Sequence, residues 1–521
     1  KISKKSKSIN FRIWSNRNRK TFRVFKESIF DASRAFLMSI GLFGFIVGSP
    51  GAALAANLPS GADVVHGQVQ LENSSPSALR IIQSSQSAIV NWQSFDIGHG
   101  ALVDIVQPNV DAAMLSRVVG NNLSEIHGSL NANGHLYLIN PNGILFGPDS
   151  QINVHALIAS TLDIADSAFL SGNISLSGDS DASVMNLGSI HADEFAALIG
   201  GNVENAGSII SESGSVGLLA SETTFEIGEA SGGVITLDIL GLLGGSATQD
   251  GLIDVSSENG DGGKVMVKAS DSVSATGASS TLANAGDLGS GGEVIFFSEN
   301  TATWEPNSVI SAQGGIVAGD GGFVELSGLK NVQFSNADIS TFASNGETGV
   351  FLIDPVDITI SSAATSNLSL NGNSFDSAST TTVLNVDDLV TALASNNITV
   401  TTVNDSYDAP NGGDLTIAAS ITSASGNDLT LIASDQLTSS HGANISLAGN
   451  LNLTAGPGGI QTIGNIDIGS NTLTSNSGGS AIYVGDVTAG NLSLTTTETG
   501  SIIQSTKFKG GGGVSSFLPI S

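Results

Sequence analysis

The stretch Leu130-Asn131-Ala132-Asn133-Gly134-His135-Leu136-Tyr137-Leu138-Ile139-Asn140-Pro141-Asn142-Gly143-Ile144-Leu145-Phe146-Gly147 reads as a strand of alternating apolar residues held between two glycine-bearing asparagine turns. Pro141 fixes φ at one corner, while Asn and Gly tolerate the positive φ that tight reversals need. Between the turns, Leu136, Leu138 and Ile144 are expected to point one way and pack. The asparagines are expected to close the turns and to ladder their side-chain amides from one layer of chain to the next.

Working outward, the same kind of unit recurs. Asn186-Leu187-Gly188-Ser189-Ile190 returns nineteen residues later as Asn205-Ala206-Gly207-Ser208-Ile209. Asp261-Gly262-Gly263-Lys264-Val265, Ser290-Gly291-Gly292-Glu293-Val294 and Asp320-Gly321-Gly322-Phe323-Val324 follow at intervals of 29 and 30. Toward the C-terminus a shorter phrase repeats: Asp414-Leu415-Thr416-Ile417, Asp428-Leu429-Thr430-Leu431, Asn450-Leu451-Asn452-Leu453 and Asn491-Leu492-Ser493-Leu494. Each reads as a short strand with one buried face, begun from a polar or glycine turn. Repetition of this kind marks a solenoid, in which each unit covers its neighbour's apolar face. No stretch keeps a clear 3.6-residue period, so helices are not expected. The expected fold is all-β, a right-handed parallel β-helix solenoid with an N-terminal cap over residues 57–105, where Trp92 and Phe95 are expected to pack. An antiparallel sandwich would also show short strands, but it would not produce recurring phrases.

The first 55 residues read as an extended signal peptide. Residues 1–34 hold 11 of the chain's 18 basic residues, the apolar run 35–47 follows, and Ala53-Leu54-Ala55 offers a small-x-small cleavage site at Ala53 and Ala55. A membrane anchor is the competing reading, but a thirteen-residue run broken by Gly41 and Gly44 falls short of the roughly 20 residues that span a bilayer. Because the chain starts at Lys1, its true start is expected to lie upstream. Without the signal, seven basic residues face 45 acidic ones, a net charge of −38 against −29 for the whole chain. Such a surface repels phosphate backbones and anionic lipid, which argues against nucleic-acid partners and against a membrane span after signal removal. Cysteine is absent, so no disulfide can lock the chain before it crosses a second membrane.

The opening stretch, taken with Asn91-Trp92-Gln93-Ser94-Phe95-Asp96-Ile97-Gly98 and Leu115-Ser116-Arg117-Val118-Val119-Gly120 upstream, resembles the secretion domain of the filamentous haemagglutinin family, the passengers of two-partner secretion. The resemblance covers residues 64–161 closely and the rest of the mature chain loosely. Gln107-Pro108-Asn109-Val110 lies where many members carry a second Asn-Pro-Asn turn, but departs from their usual Asn-Pro-Asn-Leu. Two later phrases, Gly321-Gly322-Phe323-Val324-Glu325-Leu326-Ser327-Gly328 and Phe351-Leu352-Ile353-Asp354-Pro355-Val356-Asp357-Ile358-Thr359-Ile360, look like stretches of large exoproteins of this kind. The resemblance implies a separate outer-membrane barrel transporter of the TpsB type, which binds the N-terminal region and lets the chain fold as it emerges. It also implies that Asn140, Pro141, Asn142 and Gly143 form the turn tied to secretion, with Asn131, Asn133 and Gly134 as the paired turn. Arg117, in a phrase the family matches, is expected to pair with Asp111 or Glu125. The implied organisation is a signal peptide over 1–55, a secretion β-helix domain over 56–300, and a further β-helix region over 301–521 that is cut short at its C-terminus.

Parallel β-helices also house polysaccharide-cleaving enzymes, which need paired carboxylates or a base with bound cation, and cationic residues to hold an anionic sugar. Here the mature chain has only Arg80 and Arg117 as arginines, and the histidines at 66, 99, 127, 135, 155, 191 and 441 are scattered. No H-E-x-x-H, G-x-S-x-G or P-loop phrase occurs. Asp179-Ser180-Asp181 and Asp405-Ser406-Tyr407-Asp408 read as solvated turns rather than calcium sites. No enzyme activity, cofactor or metal is expected. The expected role is an exported cell-surface or secreted adhesin whose host-cell, glycan or matrix receptor is unspecified. Two alternatives stay open: the delivery stalk of a toxin or haemolysin whose active domain lies C-terminal to this chain, and a haem-scavenging passenger. An autotransporter with its own barrel is disfavoured, since the last 150 residues lack a series of tilted strands with aromatic girdles.

Overall fold

Backbone hydrogen bonds in the coils run not between chain neighbours but to strands one coil away, in parallel register. The structure, a computed structural model, describes residues 57–521 except 173, 222–224, 231–233, 240–244, 366–369, 372–373, 376–380, 403–412, 441, 462, 479–481, 498–501, 505–507, 510–517 and 521. The signal segment with Ala53 and Ala55, the acidic turn at 405–408 and His441 lie outside the described residues.

The first coil is made by β3 (Ala78–Gln83) and β4 (Ser87–Trp92), and two earlier strands close its free edge. β1 (Asp63–His66) runs antiparallel along β4, and β2 (Val69–Ser75) runs antiparallel along β3. An open solenoid end exposes unpaired N–H and C=O groups that template aggregation. Here the covering strands satisfy those groups while keeping mostly exposed residues such as Asp63, Gln70 and Asn73 outermost. The cap is therefore shorter than the expected 57–105: β5 (Leu102–Val106) is already parallel to β3, and β6 (Ala113–Val118) to β4.

From there the coils settle into three columns of strands. β7 (Ser124–Ile126), β9 (Ile144–Phe146) and β13 (Ser183–Asn186) begin one column, which continues to Asn331–Phe334. The other two columns are joined in the early coils by long strands that turn a corner without breaking: β8 (Ser129–Ile139), β10 (Gln151–Ser160) and β14 (Ser189–Gly200). The register slips at that corner in all three, with one residue of β10 between Val154 and Ala156 facing two on β8 and two on β14. Such bulges sharpen twist and re-aim side chains.

The sequence repeats are coil lengths. Lys264, Glu293, Phe323 and Val350 stack in register, which explains the 29- and 30-residue intervals, and places Val265, Val294, Val324 and Phe351 over one another inside, all with 0% exposure. Trp304 lies between Phe296 and Phe351, each ring centroid 5.5 Å away. Three of the four C-terminal phrases stack likewise through Leu429, Leu451 and Leu492, whereas Asp414-Leu415-Thr416-Ile417 belongs to a different column, beside Ile358 and Leu437.

Two features depart from the sequence reading. In the early coils some strands are buried on both faces, not one. Leu136 and Leu138 face the main core, while Tyr137 and Ile139 face a second apolar cluster outside the coil, with Leu115, Ile158, Phe195 and Ile199. That cluster takes in residues of β11 (Asp163–Ile164), β12 (Ile174–Ser177) and the short helix α1 (Asp166–Leu170), and the strands Phe225–Ala230 and Val234–Ile239 continue the outer antiparallel sheet that β11 and β12 begin. The consecutive apolar runs at 156–159 and 195–199 are what strands buried on both faces require. The second departure is α2 (Val386–Leu393), which buries Val386, Leu389, Ala392 and Leu393 and begins at Asn385, whose side chain accepts from the N–H of Asp387 at 2.7 Å and of Asp388 at 3.3 Å. Two turns of helix are too short for a 3.6-residue period to stand out.

Stacking also brings carboxylates into poor surroundings. Burial pushes the Glu325 carboxyl above its usual range, and a 2.7 Å hydrogen bond from Ser327 and the ammonium of Lys268 only partly oppose this. Burial likewise raises Asp414; a hydrogen bond from the Gln436 N–H opposes it, and the like charges of Asp357 and Asp435 reinforce it. A carboxyl raised in the folded state holds its proton more tightly than in the unfolded chain. Its contribution to stability is present below the ordinary carboxylate range, about pH 4, and is lost as pH rises through the raised folded value. Glu325→Gln and Asp414→Asn are expected to melt above the parent at pH 7, with the gap closing toward pH 4 in thermal scans.

Candidate functional site

Residues 140–143 follow β8 and turn the chain into β9. The turn is closed by the Gly143 N–H donating to the Asn140 carbonyl at 3.0 Å, and Gly143 takes φ +112°, which disfavours any residue with a side chain. Asn140 has 0% exposure, and every hydrogen-bonding position of its amide is filled. Nδ2 donates to the Asn122 carbonyl and to Ser124 Oγ, both at 3.0 Å; Oδ1 accepts from the Asn142 N–H and from Asn142 Nδ2, both at 3.0 Å. Asn142 Nδ2 also donates to the Gly120 carbonyl at 2.9 Å. The turn is thus fastened to the segment 120–124 one coil earlier. Ser180 Oγ holds it from the other side, donating to the Pro141 carbonyl at 2.7 Å.

Pro141 and Asn142 themselves are exposed, and so are Val119 (47%) and Leu123 (43%) beside them. The site is therefore a saturated buried amide beneath an open surface of one proline, one asparagine and two aliphatic side chains.

The stretch Asn131-Ala132-Asn133-Gly134 does not form the expected paired turn. It lies within the continuous strand β8, at the bulged corner. Gly134 is required by close approach rather than by positive φ: a Cβ there would sit 2.5 Å from the Ala112 carbonyl oxygen and 2.8 Å from the Gln107 side chain. Asn133 instead ties two coils, accepting from the Gln107 N–H at 2.7 Å and donating to its carbonyl at 3.0 Å. Asn131 accepts from Asn153 one coil on, at 3.2 Å. Gln107, before Pro108, is also buried, its Nε2 donating to the Ala112 carbonyl at 2.7 Å and more weakly to Gln83, but unlike Asn140 it is not saturated, since its Oε1 has no protein partner.

Trp92 and Phe95 are wholly buried in the main core, edge to face with centroids 5.5 Å apart. Arg117 does not pair with Asp111 or Glu125. Its side chain leaves β6 on the outer face, so its partners come from the chain two coils later: Nε donates to Asp163 at 2.8 Å, and Nη2 to Asp166 at 2.8 Å and to the Ile164 carbonyl at 2.7 Å. Burial pulls the guanidinium pKa down, but these carboxylates more than offset it and the net shift is upward. Arg117 thereby pins β11 and α1 over the outer cluster, a role invisible from sequence because its partners are 46 and 49 residues away. A buried amide ladder also emerges: Asn186 donates to Asn205 at 2.8 Å, and Asn205 to Gln249 at 2.7 Å. The Asn186 and Asn205 phrases signalled its first rung; Gln249 had no such signal. Among the described residues one group, His135, His155 and Glu194, brings metal-ligating atoms within 4.8 Å of one another, and Asp179 and Asp181 are not in it.

The architecture is thus a capped parallel β-helix solenoid with a fastened asparagine turn near its N-terminus. Residues 55–288 match the TPS secretion domain family, a domain that implies export across the outer membrane of a Gram-negative bacterium. It is 41% identical over 116 residues to a heme/hemopexin-binding protein of Haemophilus influenzae, a match covering 22% of this chain and 12% of that protein. A second heme/hemopexin-binding protein, from the Rd strain, is 35% identical over 166 residues, 30% of this chain and 18% of the relative. The chain thus spans less than a fifth of the length of these relatives. The crystal structure of the HMW1 secretion domain from Haemophilus influenzae aligns over 86% of this chain and 100% of that one, with 20% identity and a TM-score of 0.40.

Removing the Asn140 amide strands several buried partners, whereas Asn142 is open to water. At about 1 kcal/mol for each hydrogen bond lost, Asn140→Ala, which removes the bonds of both amide ends, is expected to cost about 4 kcal/mol, and the water-exposed Asn142→Ala about 1 kcal/mol or less, in urea unfolding. Arg117→Ala should cost about 2 kcal/mol and speed hydrogen exchange in 163–177 ahead of the coils.

Proposed function

We propose that this passenger is an adhesin-like exoprotein, carried across the outer membrane by a separate TpsB-type barrel transporter, which contacts the exposed side of the Asn140 turn. The observation that carries the transporter reading is the division of labour within the turn. Asn140 and Gly143 are consumed by internal geometry, while Pro141, Asn142, Val119 and Leu123 form an exposed, partly apolar surface. Exposed aliphatic side chains gathered around a rigid turn are what a partner surface needs. Tight coil-to-coil fastening also has a kinetic side: the turn cannot form until segment 120–124 is in place, so the stretch stays extended until the preceding coil has folded. Folding one coil at a time on the far side of the membrane would then draw the chain outward.

Adhesion rests on the long solenoid faces of Ser, Thr and Asn and on the strongly acidic mature chain, which favour contact with a receptor, glycan or matrix over nucleic acid or anionic lipid. A non-enzymatic role is part of this reading, since cationic and catalytic residues are too few to hold and cleave an anionic polymer. The names of the two curated relatives favour a second reading, an exoprotein that binds haem or haemopexin.

The test is export in a Gram-negative host with and without a co-expressed TpsB-type transporter. Export is expected to need the transporter, and to fall at least several-fold in Val119→Ser/Leu123→Ser and in Asn142→Ala while their melting temperatures stay near the parent's. Export without the transporter would overturn the two-partner reading. Undiminished export of both variants would overturn the contact. Retention of the exported chain on haemopexin- or haem-agarose, without adherence to cells, would select the second reading.

A further inference from the structure

At the bulged corner three successive coils place His135 on β8, His155 on β10 and the pair Asp193 and Glu194 on β14 in one column. The extra residue of β14 at this level swings Glu194 toward both imidazoles. Its Oε2 lies 3.1 Å from His135 Nε2 and 3.5 Å from His155 Nε2. The other nitrogen of His155, Nδ1, meets Asp193 Oδ2 at 3.4 Å. The rings of His135 and His155 are 5.8 Å apart, and Phe195 stands edge-on to His135 with centroids also 5.8 Å apart. All three ligating residues are half-buried, and their ligand atoms lie within 4.8 Å of one another.

We propose that His135, His155 and Glu194 bind a first-row divalent transition ion such as Zn²⁺, with Asp193 orienting His155. Ligands about 2.0–2.2 Å from a tetrahedral zinc stand roughly 3.3–3.5 Å from one another, and the two nitrogen-to-oxygen separations here bracket that spacing. Two imidazoles and one carboxylate leave a fourth position for water. Asp193 accepting from His155 Nδ1–H directs the Nε2 lone pair at the ion, the carboxylate–histidine–metal relay that fixes tautomer and ring orientation. Imidazole selects such an ion over Ca²⁺ and Mg²⁺, which take oxygen ligands. The ligands are separated by 20 and 39 residues in the chain, so the site exists only once three coils have stacked, and bound metal stabilises that stacked state. The sequence reading missed it because scattered histidines carry no motif; only coil length aligns them.

The test uses the exported chain without a polyhistidine tag, stripped with chelator and titrated with Zn²⁺ by calorimetry and by thermal melting. About one equivalent is expected to bind and to raise the melting temperature, with Ca²⁺ and Mg²⁺ ineffective. His155→Asn and Glu194→Gln should weaken Zn²⁺ binding by at least about tenfold and Asp193→Asn by about tenfold. His99→Asn, which disrupts the exposed pair of His99 with Asp149, should leave binding unchanged. Melting of each metal-free variant near the parent's temperature shows that the loss lies in the site rather than in the fold. Absence of stoichiometric Zn²⁺ binding, or loss in His99→Asn with retention in Glu194→Gln, would overturn the proposal.

Discussion

Parallel stacking makes every coil depend on the one before it. A coil strand has no hydrogen-bonding partner within its own turn, so its N–H and C=O groups are satisfied only when the preceding coil presents a matching edge. The same register fixes the core, since a slip of one residue would turn Val265, Val294, Val324 and Phe351 out of the interior. The first coil lacks a predecessor, and β1 and β2 stand in for it by running antiparallel along its edge. The consequence is directional: stability is passed from the cap forward, which suits a chain that reaches its folding compartment N-terminus first.

Within that frame, buried amides correct what strand pairing leaves over. Corners interrupt the ladders, and the carbonyls stranded there must find donors or lose about 1–3 kcal/mol each. Asn140 and Asn133 meet this need in the early coils, and the Asn186, Asn205 and Gln249 ladder does so where one column passes through successive coils. Asn is suited to the task because one short side chain offers two donors and an acceptor. The Asn140 turn is a special case of a general device, distinguished by the exposed residues it carries on top rather than by the buried amide beneath.

The outer sheet is a departure from a plain solenoid. It converts part of the coil surface into a second core, seats Tyr137 against Phe169, and is held down by Arg117 through Asp163 and Asp166. A guanidinium with two carboxylates and a carbonyl is strong because each bond is charge-assisted and the group is shielded from water. Arg117 is one of only two arginines in the sequence after residue 34.

Periodicity made the all-β solenoid legible from residues alone, because strands of one coil repeat the apolar pattern of the last and the glycine phrases recur at the coil length. The turn at Asn140 was legible as well, since Pro141 and Gly143 dictate backbone angles locally. What the sequence could not supply were relations set by coil stacking. Asn131-Ala132-Asn133-Gly134 has the composition of a turn yet runs on as strand, because its neighbours on both sides hold it extended. Arg117 found its carboxylates two coils away, and His135, His155 and Glu194 met only because the extra residues of β8 and β14 flank β10 at one corner. Local chemistry writes the coil; the register between coils, which no single stretch contains, decides which side chains touch.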